Sequence, residues 1–116
     1  MTRWGIGRAV LAAGALALLC AAASWAADAI TDANVDAAVA SAKTPEDHAA
    51  LAAYFTSKAE AAVASAENHQ KMKKAFYGSK SMAQHCGNLA STDRQQAKDY
   101  TALAKAQERL AKGGKK

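Results

Sequence analysis

With 116 residues the chain has room for one domain at most. Its 15 Lys and Arg against 10 Asp and Glu give a formal charge of +5, a mild basic bias rather than the footprint of a nucleic-acid binder. Of the two cysteines, Cys20 lies in an N-terminal apolar run, so Cys86 has no internal disulfide partner in the remainder.

Residues 1–26 have the layout of a secretory signal peptide. Arg3 and Arg8 supply the positive start, Ala9 to Ala23 form an uncharged Ala/Leu-rich run, and Ser24-Trp25-Ala26 offers small residues where a peptidase reads them. Cleavage is expected after Ala26 or Ala27. The apolar run is too short for a membrane span and polar residues follow at once. Leu19 is too bulky, just before Cys20, for a lipoprotein processing site. Cleavage would remove two of the positive charges, place the chain in the periplasm or outside the cell, and leave Cys86 as its sole cysteine. In an oxidising compartment that thiol is buried, metal-bound or paired with another chain.

Residues 27–43 read as a linker with a short helix from Ile30 to Ala42, capped by Thr31 or Asp32, with Val35, Val39 and Ala42 at helical spacing. The next start is the sharpest local signal. Thr44-Pro45-Glu46-Asp47 places a capping hydroxyl, then proline where a missing N–H costs nothing, then two carboxylates in the first turn. A helix over about 45–77 follows, its stripe made by His48, Leu51, Phe55, Ala62, Ala66, His69, Met72 and Phe76. Lys58 intrudes on that stripe and must snorkel or meet a partner. Gly78 is expected to stop this helix and Ser79 to cap the next, which runs over about 82–112. Its stripe is Met82, His85, Cys86, Leu89, Gln96, Tyr100, Leu103, Gln107 and Leu110, with Gly87 and Asn88 as weak points. Residues 113–116 form a basic tail.

The expected fold is therefore all-α: an antiparallel two-helix hairpin over 44–112, preceded by a short helix and a helical signal peptide. A fold-back centred on Ser79 pairs Phe76 with Met82, Met72 with Cys86, His69 with Leu89, Lys58 with Tyr100, Phe55 with Leu103 and His48 with Leu110. The interface is thin, with alanines and two glutamines along its middle. A core this small seldom suffices alone, so self-association into a four-helix bundle is expected.

The pattern Thr44-Pro45-Glu46-Asp47-His48, Leu51-Ala52, Tyr54-Phe55, then His69-x-x-Met72 and Met82-x-x-His85-Cys86-x-x-Leu89 resembles a group of uncharacterised small exported proteobacterial proteins. The resemblance covers most of the chain after the leader and implies an alanine-rich helical hairpin and an exported location, with no activity attached. The turn of this chain is poorer in proline than that group's, and its last helix is more polar.

Chemistry-bearing residues cluster at the fold-back. His69, Met72, Met82, His85 and Cys86 combine imidazole, thioether and thiolate, a donor set suited to copper first and zinc second. The competing reading is plain packing: methionine is a common core filler, free cysteine is among the most buried residue types, and a histidine beside an apolar stripe is usually a hydrogen-bonded boundary residue. A third is an intermolecular disulfide through Cys86. No catalytic constellation is present, because Cys-His chemistry needs an orienting third group in an ordered pocket. The lysines do not form the continuous polar face that a helix lying flat on a membrane would need. The function expected is a non-enzymatic exported helical module whose partner is another copy of itself or an envelope protein, with a Cu or Zn binder as the alternative. Neither nucleic acid nor stable membrane insertion after cleavage is expected.

Overall fold

The computed structural model describes residues 29–114. The signal-peptide expectation and the end of the basic tail fall outside the described residues. Those described are all-helical: α1 (Val35–Ser41), α2 (Pro45–Ala75) and α3 (Lys80–Ala111).

The first helix is shorter than expected, and Asn34 is the reason. Its side-chain Oδ1 accepts the Thr31 N–H at 2.8 Å and its Nδ2 donates to the Ala29 carbonyl at 3.2 Å. That winds the preceding residues into a turn and postpones the helix to Val35. Neither Thr31 nor Asp32 caps it. Seven residues have no stability of their own in water, so α1 persists by packing. Ala38 is fully buried against Leu51, Phe55 and Ala104, with Ile30, Val35, Ala42, Tyr54 and Tyr100 around them.

A capping box starts α2, as its first residues suggest. Thr44 Oγ1 accepts the Asp47 N–H at 3.1 Å, while Asp47 Oδ2 accepts the Thr44 and Lys43 N–H groups, each at 3.0 Å. Asp47 is buried by this work rather than solvated. The helix stops at Ala75 without help from Gly78, since Gly113 alone has a positive φ among the described residues. The reversal is closed by the Ser79 N–H donating to the Phe76 carbonyl at 2.8 Å. Ser79 occupies the N-cap of α3, but its side chain makes no capping bond and the helix begins at Lys80. At the far end Gly113 takes φ 83°, the left-handed conformation that favours glycine. The Gly113 and Gly114 N–H groups donate back to the Leu110 and Arg109 carbonyls at 3.0 and 2.7 Å, a Schellman closure.

Helices α2 and α3 lie side by side and antiparallel, with His48 meeting Gln107, Phe55 meeting Tyr100 and His69 meeting Asp93. The seam differs from the expected stripes. On α2 it is formed by Ala52, Phe55, Ala59, Ala62, Ala66 and His69; on α3 by Cys86, Ala90, Asp93, Ala97, Tyr100, Ala104 and Gln107. Each set advances by alternating steps of three and four, the heptad pattern of a coiled-coil seam. Leu89 and Leu103, assigned to the seam by hydrophobicity, are 49 % and 44 % exposed. Alanine replaces them because small side chains let two helices approach toward the lower end of the usual 8–10 Å axis separation (about 8 Å).

Candidate functional site

Polar groups interrupt the alanine seam at two places. Near the open end His48 Nδ1–H donates to Gln107 Oε1 at 2.8 Å, so His48 lies against Gln107 and not Leu110. Toward the tip His69 Nδ1–H donates to Asp93 Oδ2 at 2.7 Å, with 24 % and 15 % of the two side chains exposed. Asp93 is thus a seam residue rather than a solvated surface charge. The His69 bond first, and the Ser65 hydroxyl second, hold its carboxyl below the ordinary carboxylate value.

The five predicted metal donors are placed differently from one another. Cys86 is buried in the seam and makes no disulfide; Met72 and Met82 are each 44 % exposed, and His85 is exposed. His69 is joined to Asp93, and the end of the Lys73 side chain, Nζ included, lies against Gly87, the residue after Cys86. Among the described residues no group of three or more His, Cys, Asp or Glu side chains is arranged to hold a metal ion.

A third polar cluster fastens α1. Lys58 Nζ reaches both oxygens of Asp32 at 3.1 Å and stands 5.8 Å from the centre of the Tyr100 ring, while the Tyr54 hydroxyl donates to Asp32. Lys58 meets Tyr100 as the fold-back register requires, and Phe55 stacks on Tyr100 at 6.3 Å instead of meeting Leu103. Tyr54 and then Lys58 lower the Asp32 pKa, and the Asp32 carboxylate pushes Tyr54 up to about 12. A group whose folded pKa is raised stabilises fully below its unfolded value, 10.0 here, and loses that contribution as the pH rises through about 12. An ultraviolet titration should accordingly show one tyrosine ionising late, and Asp32→Asn should return it to the ordinary range.

On the side of the seam away from α1 runs an open groove of about 470 Å³, floored by Ala59, Val63, Thr101 and Ala104. It continues past Thr56, Glu60 and Glu108 into a second stretch of about 530 Å³ along Ala52, Ala53 and Ala111. Val63 is 48 % exposed there. Its rims are charged unequally. Glu60 and Glu67 flank it on α2, whereas Lys105 and Lys112 stand on α3 together with Glu108, with Lys98 one heptad beyond the groove. The like charges recur seven residues apart on each helix, the one sequence signal that could have located this face.

Comparison with known proteins finds no matching family model, no similar curated protein and no similar solved structure. No helix among the described residues is long and apolar enough to cross a membrane.

Proposed function

We propose that the chain is an exported, non-enzymatic helical module that works by associating with a second copy of itself through this groove. The observation carrying the reading is the groove: a small-residue floor with exposed Val63, between Glu60 and Glu67 on one helix and Lys105, Lys112 and Glu108 on the other. A two-fold axis along the hairpin lays α2 of one copy across α3 of the other. Glutamates then face lysines and the two alanine floors close on each other, giving a four-helix bundle. Such rim charges set orientation more than they add affinity. Export is supported by the Arg3/Arg8, Ala9–Ala23 and Ser24-Trp25-Ala26 pattern.

Sedimentation equilibrium of the full chain should give twice the 12.0 kDa monomer mass. Val63→Glu should return it to monomer with unchanged helicity, because Val63 is half exposed in the single chain. A monomer at tens of micromolar, or association indifferent to Val63→Glu, contradicts the reading.

The soft-metal alternative draws on the Asp93–His69 bond, since a carboxylate on one ring nitrogen leaves the other oriented as a ligand. It requires Cu(I) or Zn(II) binding that Cys86→Ala abolishes.

A further inference from the structure

The end of the hairpin where α2 turns into α3 has a character found nowhere else along the described residues. From Asn68 to Thr92 the chain holds no Asp or Glu, and it carries Lys71, Lys73, Lys74 and Lys80. Every residue from Lys71 to Lys80 is exposed. Apolar groups sit among those cations: Tyr77 is 87 % exposed, Phe76 39 %, and Met72 and Met82 44 % each. Solvated lysines alone would be unremarkable. Two aromatic rings and two thioethers held out beside them are an exposed apolar patch.

We infer that this tip docks end-on to an anionic lipid surface. Charge complementarity names the occupant, since four cations with no acid among them repel a basic partner and favour a sheet of phosphates. The form of the patch agrees. Phe76 and Tyr77 stand on a convex turn, where aromatic rings can enter the headgroup layer while lysine stems extend to the phosphates. The first N–H groups of α3 point the same way and lack a Ser79 side-chain cap, so they add donors for the same anions. This differs from a helix lying flat on a membrane, for which the lysines would have to share one long face. Here they surround one end of a rod. The bundle arrangement above places two such tips side by side, but the inference needs only one.

The test reads the tip locally, by hydrogen–deuterium exchange of residues 71–82 in the full chain, so that binding through any other segment does not enter. The probes are vesicles of phosphatidylcholine alone and of phosphatidylcholine with phosphatidylglycerol. Exchange should slow with the anionic vesicles only, and raised salt should reverse it. Each lysine is expected to contribute about fivefold to tip affinity. The Lys71→Gln, Lys73→Gln, Lys74→Gln, Lys80→Gln chain should therefore lose tip protection altogether. It should keep its far-UV spectrum, because these side chains are exposed. Phe76→Ser with Tyr77→Ser should weaken docking while leaving its salt dependence in place. Unchanged exchange at 71–82 with anionic vesicles overturns the inference, as does equal protection by both vesicle types. Protection by polyglutamate but not by vesicles would also overturn it and assign the tip to an acidic protein.

Discussion

Leu51→Ala should lower the melting temperature by roughly 8–40 °C, whereas Leu103→Ala should leave it nearly unchanged. Leu51 is 1 % exposed and is the largest fully buried side chain among the described residues, at the junction of α1, α2 and α3. Truncating such a leucine costs about 2–5 kcal/mol from lost burial and the cavity left behind. A domain of this size has only about 4–13 kcal/mol in total, and each kcal/mol moves the midpoint by about 4–8 °C. Leu103 is 44 % exposed, so its loss should stay within about 0.5 kcal/mol. Thermal denaturation followed by circular dichroism decides between them. Equal effects would mean that α1 does not cover Leu51 or that Leu103 belongs to the seam.

The second large effect has the opposite logic, because here adding apolar surface should harm. Ala90 is fully buried where α3 meets α2. Ala90→Leu should destabilise by about 1–3 kcal/mol despite leucine's good helix propensity, since the extra carbons have no space between closely packed axes. Ala102→Leu, on the exposed face of α3, is the control and should be close to neutral. A higher midpoint for Ala90→Leu would show that the helices stand farther apart than an alanine seam allows.

These two predictions also mark what could be read from the residues alone. Thr44, Pro45 and Asp47 announce the start of α2 because capping chemistry is local, and Gly113 announces the end of α3 for the same reason. The phase of the seam is not local. Alanine appears on every face of both helices, so it carries no phase, and hydrophobicity then pulls Leu89 and Leu103 inward by default. The missing signal was size: where helices come close, Ala90, Ala97 and Ala104 are preferred to leucine. Asp93 carries no local sign of its burial because its partner, His69, is 24 residues away, and a seam phased on hydrophobicity pairs that histidine with Leu89. The short helix starts later than its spacing suggests because of one side chain, since Asn34 uses its amide to hold a turn that propensity alone does not reveal. The tip cluster shows the same limit. Its residues are legible as a group, but which of them face inward depends on the phase of the seam, which buries Cys86 and leaves Met72, Met82 and His85 exposed.

Gln70 and Arg94 are joined at 3.4 Å across the seam although 24 residues separate them. Nitroxide labels at Gln70→Cys and Arg94→Cys, with Cys20→Ser and Cys86→Ala to remove the native thiols, turn that contact into a distance. The doubly labelled chain is diluted into unlabelled chain, so that pulsed electron resonance reads one molecule at a time. A folded-back chain should give a separation below about 20 Å, since packed helix axes lie about 8–10 Å apart. A continuous helix through Gly78 would place the labels about 36 Å apart, at about 1.5 Å per residue, and that result would contradict the account.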